Sequence, residues 1–272
     1  PILIVPAMHG SMYRHPIVGQ NIKRLEKLGV TVIQPNICEG KAKFPGVSAV
    51  VNAVAAQFVE KDLKGKKLLV TAGPTREDID SVRFISNRSS GKMGVWLAEE
   101  AFARGAQVVL VRGQTLVEPG CPLKDVRVRS AKEMFAAVKK NLDVDIVVHA
   151  AAVSDYTVEK RTGKISSSKS LALELLPATK ILERIKGLNR RVFLVGFKAE
   201  CNVSREELVE RAFRKLRSAS ADLMVANDVG KQGIGIGSDK NEIYVVDARK
   251  RVKHFGPAHK RVIANKILDM VK

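Results

Sequence analysis

The sequence predicts an α/β fold, a mostly parallel sheet with helices on both faces, plus a small N-terminal αβ fragment. Three observations carry that expectation. Short β-branched runs recur along the chain, helical patterns with charged faces separate them, and a charged run, Lys61-Asp-Leu-Lys-Gly-Lys-Lys67, precedes a fresh series of strands. Runs that are apolar without alternation suit strands buried on both faces. Strand–helix alternation implies parallel pairing, because each return to the sheet passes through a helix.

In chain order, Pro1-Ile-Leu-Ile-Val5 reads as a strand, residues 16–28 as a helix, 30–34 as a strand and 47–59 as a helix, together a fragment of residues 1–62. A chain that opens on proline in mid-strand, without Met, reads as cut from something longer. In residues 63–272 the buried strands are Lys67–Thr71, Gln107–Val111, Asp145–His149, Val192–Gly196 and Asp222–Ala226. Helical patterns cover Gly94–Arg104 and Arg205–Leu216. The result is a Rossmann-like sheet, in which ligands bind at the carboxyl ends of strands. Chemistry is therefore sought just after each strand. The run Gly233-Ile-Gly-Ile-Gly237 follows what reads as the last strand and is expected to be a flexible connection.

Composition narrows the function classes. With 45% hydrophobic residues, the 272-residue chain suits a folded globular protein rather than a disordered one. No run of eighteen apolar residues exists, so no membrane span is expected. Cys38, Cys121 and Cys201 lie far apart without a Cys-x-x-Cys pair, which argues against structural zinc and disulfides and suits a cytoplasmic location. The formal net charge of +19 fits either a nucleic-acid binder or an enzyme that handles polyanions. Basic residues interleaved with acids, and only 5% aromatic residues for base stacking, favour the second and predict no nucleic-acid partner.

Four polar clusters stand at four strand ends. After Thr71, Gly73 lets the backbone turn, and a long loop leads to Asn87-Arg-Ser-Ser-Gly-Lys92. Ser89, Ser90 and Gly91 stand where a helix begins, and free N–H groups with the helix dipole favour an anion there. A plain serine cap is the simpler alternative, but a cap needs one such residue, not this whole run. The spacing is neither a P-loop nor a dinucleotide fingerprint. The second cluster, His149-Ala-Ala-Ala-Val-Ser-Asp155, offers small residues against which a ligand ring can lie. Its Asp155 can serve a metal or a hydroxyl, although a lone Asp there is more often a turn former. Lys164, in Gly163-Lys-Ile-Ser-Ser-Ser168, is a candidate phosphate clamp. Gly196-Phe-Lys-Ala-Glu200 and Ala226-Asn-Asp-Val229 complete the set. One site explains four such clusters better than coincidence does.

These motifs, in this order, closely resemble the phosphopantothenoylcysteine synthetase (phosphopantothenate–cysteine ligase) family over residues 63–272. The resemblance implies joining of 4′-phosphopantothenate to L-cysteine with CTP, through an acyl-cytidylate, giving phosphopantothenoylcysteine, CMP and pyrophosphate. It implies that Asn87 and Lys164 are catalytic, Asn87 at the activated acyl group and Lys164 at the triphosphate. It places the nucleotide against His149, Ala150, Ala151, Asp155, Lys164, Thr179, Lys180, Ile181, Leu182, Phe197 and Lys215. Phosphate or substrate contacts fall to Gly73, Ser89, Ser90 and Gly91, and Asp155 is the candidate Mg2+ ligand. Two departures stand out. Thr179-Lys180 replaces a usual Pro-Asp, and Ala219 stands where a second phosphate-contacting Lys is usual, with Arg217 as a possible substitute.

Residues 1–62 resemble the carboxyl-terminal part of a flavoprotein, phosphopantothenoylcysteine decarboxylase. Pro6-Ala-Met-His9 stands where that family has Pro-Ala-Met-Asn, and Cys38 lies near its catalytic Cys. FMN is expected only with a complete decarboxylase domain. The resemblance further implies a homodimer, with Val82-Arg-Phe-Ile-Ser86 adding a strand across a twofold axis. The alternative function is a Rossmann-type NAD(P)-dependent oxidoreductase, which would share the fold but wants the dinucleotide fingerprint this sequence lacks.

Overall fold

Every strand expected in residues 63–272 is present, and three unforeseen ones extend the sheet. The computed structural model describes residues 1–166 and 170–271 and divides the chain into two units, Pro1–Lys61 and Asp62–Lys272. In the larger unit eight strands form one sheet: β1 (Lys67–Ala72), β2 (Gln107–Arg112), β3 (Lys124–Arg127), β4 (Ile146–His149), β5 (Phe193–Glu200), β6 (Leu223–Asp228), β7 (Lys240–Asp247) and β8 (Val252–His259). Their spatial order is β3-β2-β1-β4-β5-β6-β7-β8. The pairings from β3 to β6 are parallel, and those of β6 with β7 and of β7 with β8 are antiparallel.

The glycine run 233–237 therefore does not follow the last strand, as the sequence suggested, but lies between β6 and β7. Strands β7 and β8 close the sheet at one edge. Their residues alternate or carry charge, as in Lys240-Asn-Glu-Ile-Tyr244, and so lack the unbroken apolar signature of a doubly covered parallel strand.

Alternation along the strands sorts the core into two layers. Leu68, Val70, Ile146, Val148, Val195, Val225, Ile243 and Val245 face helices α1 (Lys92–Ala103) and α5 (Lys260–Leu268). Leu69, Val147, Leu194, Met224, Ala226 and Val246 face α2 (Ala131–Lys140), α3 (Ile181–Leu188) and α4 (Arg205–Ala219). The two layers are what a sheet covered on both faces requires. Arg104, which caps the carboxyl end of α1, bonds Glu100 and Asp269 and so ties α1 to the end of α5. No helix among the described residues is long and apolar enough to cross a membrane.

The order of strands reverses between β1 and β4, the neighbours in the middle of the sheet. Chain leaving β1 runs to one side and chain leaving β4 to the other, which opens a crevice above their carboxyl ends. Gly94 brings α1 down onto β1, since a Cβ there would lie 2.5 Å from Ala72 Cβ and 2.8 Å from Thr71 O.

The segment Val82–Ser86, expected to add a strand across a twofold axis, makes one pairing within its own chain. Phe84–Ser86 forms an antiparallel hairpin with Arg76–Asp78. The turn is fixed by Asp80, whose carboxylate accepts from the N–H groups of Val82 and Arg83, both at 2.7 Å.

The smaller unit contains short strands at Leu3–Ile4 and Thr31–Val32, which pair in parallel, and helices at Pro16–Lys27 and Val47–Ala55. It also contains a three-stranded antiparallel sheet, Met8–His9, Lys41–Lys43 and Asn36–Cys38, not foreseen from the sequence.

Candidate functional site

A cavity of about 620 Å³ opens above the carboxyl ends of β1, β4, β5 and β6. Its lining joins the four clusters that the sequence places after those strands. Asn87–Gly94 follows β1, His149–Asp155 closes and follows β4, Phe197–Ala199 comes from β5, and Asn227 with Val229 from β6. Thr179–Leu182, at the start of α3, and Lys215, on α4, line it as well.

The anion cradle is a backbone structure. Gly91 is the N-cap residue of α1, left-handed at φ 71°, and makes no side-chain cap. A plain serine cap is thereby excluded. Ser89 Oγ instead accepts from the Gly91 N–H at 3.3 Å, and the Ser90 carbonyl accepts from Leu116 N at 2.9 Å. The first intrahelical bond runs from Val95 N to Gly91 O, which leaves the amides of Lys92, Met93 and Gly94 without a partner among the described residues. Gly91 is required twice over, by its positive φ and because a Cβ would fall 2.2 Å from Thr115 Cγ2.

The charge of the lining fits a polyanion. Among the described residues it includes Arg88, Lys92, Lys180, Lys198, Lys215 and Lys260, against the single carboxylate of Asp155. Lys215 pairs with Glu183 at 2.6 Å, and the ammonium beside that carboxylate holds the Glu183 pKa below its ordinary value. Lys180 pairs with Asp155. Thr179-Lys180 thus puts a cation against the candidate metal ligand. Among the described residues no group of three or more His, Cys, Asp or Glu could cage a metal.

Asn87 lies exposed at the cavity, with its amide nitrogen donating to Val153 O at 2.9 Å and Ala152 O at 3.3 Å. It joins the entry of α1 to the loop after β4. His149 is buried, and Ala150 and Ala151 beside it are partly exposed to the cavity. Burial, and secondarily the charge of Lys215, push the His149 imidazole down to about 4. Ile181 and Leu182 are core residues of the α3 layer that also form part of the cavity wall, and Phe197 completes the apolar side.

Not every expected residue lies here. Gly73 is absent from the lining; its carbonyl accepts from Ala152 N at 2.9 Å, so it braces the loop after β4 from below. Lys164 is exposed and also outside the lining. Its neighbours are fastened to the hairpin turn, since Gly163 O accepts from Ser81 N and Ile165 N donates to Asp80 Oδ2. Ser167 and Ser168 of that run lie outside the described residues. Ala219 is buried in the core, and Arg217, exposed on α4, does not line the cavity. Cys38 belongs to the smaller unit, exposed on the strand Asn36–Cys38.

Sequence reasoning missed Lys92, Lys260, Asn241 and Gly235–Gly237, all of which line the cavity. Lys92 bonds Asp239 Oδ1 and Gly237 O, and Lys260 donates to Ser238 O, so the two lysines secure the glycine run at the rim. The signal was the glycine run itself, but its partners come from α1 and α5, and the place of α5 was not legible. The chain also holds a Tyr156-Thr-Val-Glu-Lys160 spacing of the kind oxidoreductases use. Lys160 is spent on an ion pair with Asp78, and neither residue lines the cavity.

Comparisons with known proteins agree with the fold. Residues 63–272 match the family model of the DNA/pantothenate metabolism flavoprotein C-terminal domain, and residues 1–59 match the flavoprotein family model. The chain is 45% identical over 276 residues to the coenzyme A biosynthesis bifunctional protein CoaBC of Thermococcus kodakarensis, covering all of this chain and 67% of that protein. It is 38% identical over 276 residues to the CoaBC protein of Methanocaldococcus jannaschii, covering all of this chain and 66% of that one. It thus spans about two thirds of the length of these relatives. A crystal structure of the C-terminal domain of a CoaBC protein superposes with a TM-score of 0.64 at 35% identity, covering 77% of this chain and 95% of that chain.

Proposed function

Since the chain belongs to the family of the DNA/pantothenate metabolism flavoprotein C-terminal domain, we propose that it is a ligase of coenzyme A biosynthesis, joining 4′-phosphopantothenate to L-cysteine at the expense of CTP. The observation that carries this reading is the cavity, where an uncapped helix start and six cations face a single carboxylate. A carboxylate is a poor electrophile. Its attack on an α-phosphate makes a mixed anhydride with a good leaving group, and the protein must neutralise the triphosphate and align the carboxylate with it.

The amides at the start of α1, Ser89 and Ser90 receive phosphate oxygens, and Lys215 adds charge from α4. His149, Ala150, Ala151 and Phe197 form the wall along which the nucleoside lies, and Thr179–Leu182 meets the base. Lys164 reaches the triphosphate from the segment tied to the hairpin turn, a movement that its exposure and the neighbouring glycine permit. Asn87 acts in the second step. Its 2.9 Å bond to Val153 O fixes the amide plane, and the longer bond to Ala152 O is the one an acyl oxygen can replace.

Mg2+ fits as a companion of the triphosphate rather than a resident ion, because Asp155 offers one carboxylate, shared with Lys180. Bound so, it would neutralise phosphate charge. We also propose a homodimer, and that residues 1–61 are part of a flavoprotein unit for which FMN and Cys38 matter only when that unit is complete.

Pyrophosphate release in the presence of phosphopantothenate and cysteine tests the proposal. Release is expected with CTP and to depend on phosphopantothenate. Absence of release with both CTP and ATP would overturn the ligase reading.

A further inference from the structure

We propose that the His149 side chain is a phosphate-binding hydrogen-bond donor, fixed as the Nε2–H tautomer by Thr71; the choice of phosphate rests on the nucleotide reading of the cavity, while the tautomer does not. His149 ends β4 and sits in register with Thr71 of β1. The Thr71 hydroxyl is fully buried, and its oxygen lies 2.9 Å from His149 Nδ1 and 3.1 Å from the Ala151 nitrogen. The Ala151 N–H can only donate, so it takes one lone pair of that oxygen. The hydroxyl proton then needs an acceptor, and among the described residues His149 Nδ1 is the one within reach. Were Nδ1 protonated, the hydroxyl would accept twice and its own proton would be buried without a partner, which protein interiors rarely tolerate. Nδ1 therefore accepts, and the imidazole proton stands on Nε2.

Nε2 has no hydrogen bond to the protein among the described residues, and it is not one of the sealed, unpaired polar atoms of the interior. His149 is one of the residues that line the cavity. Burial keeps its ring neutral. Lys215, close enough to depress the ring further, lines the same wall. A neutral N–H beside an ammonium suits an anionic oxygen. The competing acceptor of the same chemistry is a ribose hydroxyl.

Glutamine and asparagine separate donor from filler. Glutamine carries its amide nitrogen about where Nε2 stands, whereas asparagine carries it near Nδ1, against Thr71. Nitrogen-edited NMR of the ligand-free chain, with His149 assigned through His149→Gln, should show a pyridine-like Nδ1 and a pyrrole-like Nε2. The reverse pattern, or an averaged imidazolium, overturns the tautomer. Calorimetric titration with CTP should show a loss of about tenfold or more for His149→Asn, as expected for a hydrogen bond to a charged group, and near-native affinity for His149→Gln. Equal losses in both variants overturn the donor role. Cytidine binding should be indifferent to His149→Asn; a parallel loss for cytidine moves the contact to the nucleoside and overturns the phosphate assignment. A wild-type chain that fails to bind CTP removes the ligase reading and the phosphate assignment with it, while the NMR result stands on its own.

Discussion

Lys164 and Asn87 divide the proposed chemistry between them, and each makes a different demand on its surroundings. Lys164 is exposed and outside the cavity wall, so Lys164→Gln is expected to leave the thermal midpoint unchanged. Loss of one charge-neutralising donor should slow pyrophosphate release by about a hundredfold. Near-normal release by the variant removes Lys164 from the site. Asn87→Asp replaces an amide donor with an acceptor of the wrong charge. Activation, which needs only neutralisation of the triphosphate, should survive, whereas amide formation should lose about 3 kcal/mol of transition-state stabilisation. A quenched single turnover analysed by mass spectrometry should then hold acyl-nucleotide and little amide. If both steps slow alike, Asn87 merely braces the loop through Ala152 O and Val153 O.

At the same scale, Ser89–Gly91, His149–Asp155 and Phe197 were legible because each stands at the end of an unmistakable strand or in the loop after it. The position of Lys164 was not, because it depends on hydrogen bonds of its neighbours Gly163 and Ile165 with Asp80, Ser81 and Arg83, which lie far back in the chain. Lys92 and Lys260 were missed for a related reason. Their common partner is the segment Gly237–Asp239, which only the β6–β7 connection brings to the rim.

Among elements, the meeting of α1 with β1 decides whether the cradle has its shape. Gly94 permits backbone contact that no other residue does, and the groups a Cβ would strike, Ala72 and the Thr71 carbonyl, belong to the sheet and cannot swing aside. Gly94→Ala is therefore expected to cost about 1–3 kcal/mol by overpacking and to weaken CTP binding by lifting the helix start from the strand end. Thermal denaturation and calorimetry read the two effects, and unchanged affinity in a destabilised variant would separate the cradle from this contact. The parallel strands and their helices could be read from apolar runs because burial on both faces demands them. The antiparallel edge and the 76–78/84–86 hairpin could not, since half-covered strands mix charge with apolar residues. That hairpin still exposes Val82 and Phe84, with Arg76 stacked over the Phe84 ring at 4.3 Å. If the proposed homodimer uses this surface, light scattering at micromolar concentration should give a dimer for the native chain and a monomer for Val82→Glu.

At the scale of the whole molecule, the two units differ in what can hold them together. All of the largest fully buried side chains, from Leu63 and Leu68 to Leu208 and Met224, belong to residues 62–272. In residues 1–61, Ala42 and Pro45 are the buried apolar side chains among the described residues, while Ile2, Met12, Leu28, Val47 and Phe58 are each more than half exposed. Burial of apolar surface contributes about 25 cal/mol per Å², and a fragment of that length without an enclosed core does not offset the entropy of ordering its backbone. A chain comprising residues 62–272 should thus fold alone, melt in a single cooperative transition and release pyrophosphate at close to the rate of the full chain. Residues 1–61 expressed alone should give the circular dichroism of an unfolded polypeptide. A truncated chain that folds but loses ligase activity would assign the N-terminal unit a part in the reaction, and one that fails to fold would mean that the cavity's own layers do not suffice to support it.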